Sequence, residues 1–540
     1  MSTNNRLMLR MLWKKYCFLG CCLGWCLGFS LGGIVQIGSV DGQVERAQLG
    51  KRLQRFEVAW ETATEPQRQQ ASDPMQVAVT RFFGMQLSSA ASKLDEAWLI
   101  VRGQKSTDWE KFCLPFFVSV ERQVIADPND SLKISLTRFY DADAIKELNE
   151  LDGSQNTLLL TLFAPRSIGS SNHQNDDGSD DNKVYQAQFP IAAVIDGLKI
   201  PVADVVAQLG WQRTDYQLQA TLIGADQQRF DLLPQMVSFI PDWDVHLNTI
   251  SSKLDDEAID LSDTVKATLK SHQEIFRQVT AGEVQETDYP IARMLNFCES
   301  ILEAPLQATQ TIAAGATTND IWLTLRRKRK QVPVRVRAPQ IVPVDPAATD
   351  IQNQVDNRSL PVLVLLHGAG GSENMFFETY GAGRTVSMGL ERGWLVVAPR
   401  QGFVAGVGGL AFDTPEILDE LEAFFPIDRD RVFVVGHSMG AGQTIRQLSL
   451  YPHVAIAAAA IGGGSPIHQP RNPNEAKEVA WFVSAGELDF GRRGAEGLKN
   501  SLQRAEIRPE NLNFKIYPGI EHMVIVQASL DDMFEFFDRQ

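Results

Sequence analysis

The apolar positions of this chain change rhythm along its length. From about 44 to 105 they recur at helical spacing among Gln, Arg and Glu. From about 110 to 240 they fall in short alternating runs, at 113–120, 132–139, 157–163, 185–189 and 216–223, with turn residues between them. Alternation of that kind predicts a β-rich module of sandwich type. A helical stretch over 254–304 then bridges to the last part of the chain. There, from about 318, continuous apolar runs near 362, 395, 432, 456, 480 and 514 alternate with helical patterns, as strands buried on both faces do. Two shorter runs, 322–325 and 332–336, read as an opening antiparallel pair, and 414–425 as a helix with proline in its first turn and early acids. The expected fold is α/β: a mostly parallel eight-stranded sheet with helices on both faces. It is preceded by the β-rich module, its helical flanks and an N-terminal hydrophobic segment. The corresponding divisions are 1–40, 44–105, 106–245, 246–315 and 318–540.

Candidate chemistry gathers in the last of these. Ser438 lies in Gly436-His437-Ser438-Met439-Gly440, between the apolar run 431–435 and a helical pattern over 441–450. Strand, Gly-x-Ser-x-Gly, then helix is the context of a nucleophilic serine on a strained turn. Small flanking residues let the backbone close that turn, and the helix start frees the Met439 N–H. A serine hydroxyl needs a base, and the base needs an orienting acid. Three histidines follow Ser438. His453 adjoins a helix end, and His468 sits in a loop that precedes the candidate acids. His522 follows the strand at 513–517 and is the expected base. The expected acid is Asp489, just past the strand at 479–484, with Glu487 as runner-up. Asp489 lies 51 residues after the serine and His522 33 after that, each gap leaving room for one helix and one strand. His437 is an unsuitable base, because side chains adjacent across a tight turn point apart. A second glycine-rich turn, His367-Gly368-Ala369-Gly370-Gly371, follows the buried strand at 360–366. Its backbone suits an oxyanion hole made by the N–H groups of Met439 and Ala369, with Gly370 as a further candidate. His367 itself is expected to pin that loop.

Those motifs, together with the segments at 398–402, 427–442, 484–489 and 519–522, make residues 318–540 resemble the α/β-hydrolase superfamily. The likeness is nearest to its polyhydroxyalkanoate depolymerase, feruloyl esterase and dienelactone hydrolase-like branch. The resemblance implies hydrolysis of a small-molecule or polymeric ester through Ser438, His522 and Asp489. A serine peptidase of the same fold, or a non-catalytic binding protein on the scaffold, is the alternative. The intervals hold no large inserted lid, so an open site is expected.

Composition narrows the partners. A net charge of −15 speaks against nucleic acid, and the basic run at 326–330 reads as a solvated hairpin turn. Basic residues at Arg6, Arg10, Lys14 and Lys15 precede an apolar stretch over 16–37, the pattern of a signal peptide or membrane anchor. An exported protein, secreted, periplasmic or membrane-anchored, is expected. Four of six cysteines fall in that segment, leaving Cys113 and Cys298 as a pair that could bridge. No cysteine–histidine cluster has zinc spacing, and the acidic loop at 175–181 lacks the glutamate of a calcium-binding EF-hand. No cofactor or metal is expected.

Overall fold

The computed structural model describes residues 40–140, 156–165, 182–195, 197–340, 359–401, 412–466 and 476–540. Three helices come first: α1 (Val40–Thr62), α2 (Glu65–Phe83) and α3 (Leu87–Val101). Leu53, Phe56, Met75, Ala78 and Leu94 pack them together, in a cluster that also takes in Val524 from the far end of the chain. A buried ion network ties α1 to α3. Arg52 Nε and Arg55 Nη2 donate to the Asp95 carboxylate at 3.1 and 2.6 Å, and the Tyr140 hydroxyl joins at 2.7 Å.

The β-rich module has two sheets. One contains β1 (Phe116–Val120), β3 (Ser131–Arg138) and β6 (Leu198–Pro201). The other orders β2 (Val124–Ile125), β9 (Gln235–Phe239), β7 (Thr214–Ile223), β4 (Thr157–Phe163) and β5 (Lys183–Pro190), with β8 (Arg229–Asp231) against β7. Leu132, Ile134 and Leu136 of β3 share one core with Leu158, Leu160 and Leu162 of β4, so alternate residues of both sheets face inward. The run at 113–120 is not a single strand. Asp108–Cys113 is helical, started by Thr107 and Glu110, each of whose side chains accepts the other's backbone N–H, at 3.1 and 2.8 Å.

The bridge is likewise broken into Trp243–Asp255, Asp263–Thr280 and Ile291–Glu303. Ser262 caps the second helix by accepting the Val265 N–H, and Gly282 follows it at φ +79°. Cys113 and Cys298 do not form the disulfide considered from sequence. Each is a free, buried thiol, one in the β-module core and the other against the large sheet.

The large sheet has the expected eight strands. In chain order they are β10 (Ile321–Arg327), β11 (Lys330–Arg337), β12 (Leu360–Leu366), β13 (Leu395–Pro399), β14 (Ile427–His437), β15 (Ala457–Ile461), β16 (Ala480–Gly486) and β17 (Leu512–Tyr517). In space they run β10-β11-β13-β12-β14-β15-β16-β17. The first two pairings are antiparallel and the rest parallel. The basic run turns the β10–β11 hairpin, with Arg327 paired to Lys330. Val362, Val364 and Leu366 of β12 enter one core, and Leu363 and Leu365 enter the core on the opposite face. Burial on both faces is why β12 reads as an unbroken apolar run. The helix expected over 414–425 spans Thr414–Leu421, and its continuation turns inward to bury Phe424 and Phe425. The N-terminal hydrophobic segment and the acidic loop at 175–181 lie outside the described residues. No described helix is long and apolar enough to cross a membrane. Because β14, β16 and β17 are parallel, the loops after them all leave from one edge of the sheet, and that edge carries the site.

Candidate active site

Ser438 directly follows β14 with φ 56° and ψ −113°, a backbone conformation that costs energy for a residue with a Cβ. The turn is held because its N–H donates to the Ile461 carbonyl at 2.9 Å and because its two glycines have no room for side chains. A Cβ on Gly436 would lie 2.2 Å from the Gly440 carbonyl oxygen, and one on Gly440 would lie 1.9 Å from that of Leu366.

Three of the residues singled out in the sequence form one hydrogen-bonded line. His522 Nε2 lies 2.9 Å from Ser438 Oγ, and His522 Nδ1 lies 2.7 Å from Asp489 Oδ1. The same Oδ1 accepts the Gly491 N–H at 2.6 Å. Burial opposes charge on Asp489, but the hydrogen bond and the attraction from His522, with the Gly491 N–H, hold its carboxyl below the usual range. An ionised Asp489 fixes the proton on Nδ1 and leaves Nε2 free to accept from the serine. Glu487 is exposed, and its carboxylate accepts the Gly519 N–H at 3.0 Å instead. His453 is exposed on the short turn Pro452–Val454, and His468 lies outside the described residues.

The glycine-rich loop after β12 approaches the serine from the other side. A Cβ on Gly368 would stand 3.3 Å from Ser438 Cβ. Met439 opens the helix Met439–Leu450. The Met439, Ala369 and Gly370 N–H groups take no partner among the described residues. His367 anchors this loop: Nδ1–H donates to the Gly368 carbonyl at 2.7 Å, and Nε2 accepts the Gln401 N–H at 2.9 Å. Burial lowers its pKa to about 4, so it is neutral in this role.

The structure adds residues that the motifs did not disclose. Tyr380 joins the glycine-rich loop after β12 to the serine turn: its hydroxyl accepts the Gly368 N–H at 3.3 Å and donates to His437 Nδ1 at 2.8 Å. His437 Nε2–H then donates to the His522 carbonyl at 2.8 Å. Burial, and next the neighbouring His522, push the His437 pKa down to about 3. Glu521 accepts the Met523 and Val524 N–H groups, both at 2.8 Å, and so fixes the loop that carries His522 into the helix Ile525–Phe537. Glu57 of α1 accepts the Gly381 N–H at 2.9 Å, beside Tyr380.

The expectation of an open site needs correction. No inserted lid is seen among the described residues, but the N-terminal helices supply a cover. Ser72 Oγ donates to the Gly519 carbonyl at 2.5 Å, docking α2 on the loop before His522. At the end of α2, Phe82 lies 3.2 Å from where a Gly370 Cβ would stand, and the Phe83 ring is 6.2 Å from that of His522. Phe490 also lies against His522, with ring centroids 3.9 Å apart and planes tilted by 33°, and the Phe83 ring meets Phe490 edge-on at 5.6 Å. An apolar pair at the end of an amphipathic helix has no sequence signal separating it from ordinary core.

Residues 363–514 match the model of the alpha/beta hydrolase family. Among solved structures, a ferulic acid esterase is similar at 18% identity and a TM-score of 0.33, over 41% of this chain and 98% of that one. An S-formylglutathione hydrolase from Staphylococcus aureus is similar at 17% identity and a TM-score of 0.34, with the same coverage. A thermostable esterase is similar over 73% of this chain and 92% of its own, at 12% identity and a TM-score of 0.35. No curated protein sequence matches the chain.

Proposed function

We propose that the C-terminal alpha/beta hydrolase domain is a serine hydrolase of carboxylic esters, with Ser438 as nucleophile, His522 as base and acid, and Asp489 as orienting group. The observation that carries this reading is the unbroken line Ser438 Oγ–His522 Nε2 and His522 Nδ1–Asp489 Oδ1, at 2.9 and 2.7 Å, on a serine held at positive φ. In the proposed sequence Ser438 Oγ bonds to the acyl carbon as its proton passes to His522 Nε2. The tetrahedral oxyanion is held by the N–H groups of Met439 and Ala369, with Gly370 as the further donor. His522 returns the proton to the leaving alkoxide as the acyl C–O bond breaks, and water then repeats the sequence to release the acid. Asp489 keeps His522 in the required tautomer and stabilises the imidazolium that forms. The substrate is a small-molecule or polymeric ester. Export through the basic and apolar N-terminal segment is part of the same proposal and rests on sequence.

The test is labelling with a fluorophosphonate probe, native protein against Ser438→Ala, followed by hydrolysis of p-nitrophenyl acetate. Labelling and turnover that both vanish in the variant support the reading. A folded native protein that neither labels nor turns over the ester removes it in favour of a non-catalytic scaffold.

A further inference from the structure

A cavity of about 480 Å³ lies between the N-terminal helices and the hydrolase domain. Its near end is bounded by Gly370 and Gly371 of the candidate oxyanion loop, by Met523, the residue after His522, and by Phe82. From there it runs along α1, α2 and α3 past Gly50, Leu53, Ala78 and Ala90. Small residues on adjacent helices leave it hollow. A Cβ built on Gly50 meets nothing within 4 Å. Arg46 is exposed to solvent, and the other charged groups that line the cavity are already engaged. Lys51 donates to Asp288 and to the Pro234 carbonyl, both at 2.8 Å. Glu286 pairs with Arg400 at 2.9 Å, and Glu378 with Arg335 at 2.5 Å. Such walls favour an uncharged apolar guest, and the volume is that of a small-molecule site.

We propose that this cavity binds the acyl chain of the substrate, so that the enzyme prefers esters of medium-length aliphatic acids. The inference rests on the ester hydrolase reading above. The side of the ester that enters is set by the geometry of that reaction. The leaving oxygen must stay within reach of His522 Nε2, and the ring of His522 lies beside Phe490, which keeps 64% exposure although Phe83 of α2 meets it edge-on at 5.6 Å. The alcohol therefore departs past the exposed face of Phe490. The carbonyl oxygen lies against the loop at 368–370, and the chain continuing from the acyl carbon passes that loop at Gly370, where the cavity begins. The N-terminal helices are thereby a specificity element as well as a cover.

Two isomeric esters separate the sides of the molecule: ethyl octanoate and octyl acetate have the same atoms and nearly the same hydrophobicity. The native protein is expected to hydrolyse ethyl octanoate with a kcat/KM on the order of tenfold above octyl acetate. Gly50→Leu fills the cavity from a helical position that improves with any side chain, so folding is kept. It is expected to bring that ratio close to one, with a Tm at or above native. Octyl acetate hydrolysed as well as or better than its isomer overturns the proposal. So does an unchanged ratio in a folded Gly50→Leu protein. Absence of fluorophosphonate labelling together with no hydrolysis of p-nitrophenyl acetate is a different failure, and it removes the ester hydrolase reading itself.

Discussion

Gly440 and Gly442 lie two residues apart on the helix that follows Ser438, and the structure assigns opposite outcomes to the same substitution at each. A Cβ on Gly440 would stand 1.9 Å from the Leu366 carbonyl oxygen and 2.9 Å from that of His367. Real contacts of this kind do not fall below 3.0 Å, so the helix start and the end of β12 must separate by at least 1.1 Å. Both neighbours are backbone, and no rotamer change can absorb the shift. Overpacking of this kind costs roughly 1–3 kcal/mol. It also moves the Met439 N–H away from the loop carrying Ala369. A misplacement of about 1 Å in a reacting group costs about 10²-fold in rate. Gly440→Ala should therefore lower Tm by several degrees and lower kcat on p-nitrophenyl acetate by about 10²-fold, with KM nearly constant. A Cβ on Gly442 meets nothing within 4 Å. Gly442→Ala should keep kcat and stabilise the protein by up to about 1 kcal/mol through helix propensity. Thermal melts and steady-state kinetics on the pair decide the matter. If Gly440→Ala keeps native kcat and Tm, the close approach of helix and strand is not what demands glycine there.

Tyr380→Phe leaves the Gly368 N–H without its acceptor and His437 Nδ1 without its donor, both buried, and should cost about 1–3 kcal/mol in urea unfolding. An unchanged midpoint would mean that water replaces the hydroxyl. Burial lifts the Glu57 carboxyl well above its ordinary range, against the Gly381 N–H and with help from Glu521. The folded protein thus holds a proton that the unfolded chain releases. The associated stability is full below the ordinary glutamate pKa and is lost as pH rises through the raised one. Glu57→Gln should flatten that decline in Tm from mildly acid to alkaline pH, and an equal slope in both proteins would refute the assignment. Asp95→Ala strips the carboxylate from the buried Arg52 and the half-buried Arg55 guanidiniums, and should cost about 3–5 kcal/mol by denaturant melt. A loss below 1 kcal/mol would show that water reaches the arginines.

The parts of the fold that sequence discloses are those in which one local pattern has one physical cause. β12 is apolar at every position because both faces are buried, and Gly-x-Ser-x-Gly recurs at a strand end because neither flanking Cβ fits. Ser438, Asp489 and His522 could be nominated together because βα alternation ties chain spacing to one edge of a parallel sheet. Helix ends were less legible. The stop at Leu421 depends on where Phe424 and Phe425 find a core, which periodicity does not encode. Least legible were partnerships across long separations. Glu57 meets Gly381, and Ser72 meets Gly519, with nothing in either neighbourhood to announce the other.

That limit bears directly on the candidate site. Ser438, Asp489, His522 and the candidate oxyanion donors lie just after a sheet strand, on a loop or at a helix start, where a motif can be recognised. The residues that cover the site and line the cavity beside it come from a helix pair more than three hundred positions earlier, where Phe82, Phe83, Gly50 and Ala78 look like ordinary interior or helix-surface residues. Their meaning depends on docking. The docking contacts on the hydrolase side fall beside Tyr380 and on the loop that delivers His522, through Glu57 and Ser72. Weakening them should loosen the loops at 368–370 and 519–522 as well as the cover. On the proposed function and substrate site, chemistry and selectivity are thus coupled through the same few hydrogen bonds. A variant that undocks the helices, such as one with both Glu57→Ala and Ser72→Ala, should lose its preference among acyl chains and lose kcat together. Selectivity lost at full kcat would show that the helices choose the substrate without holding the site.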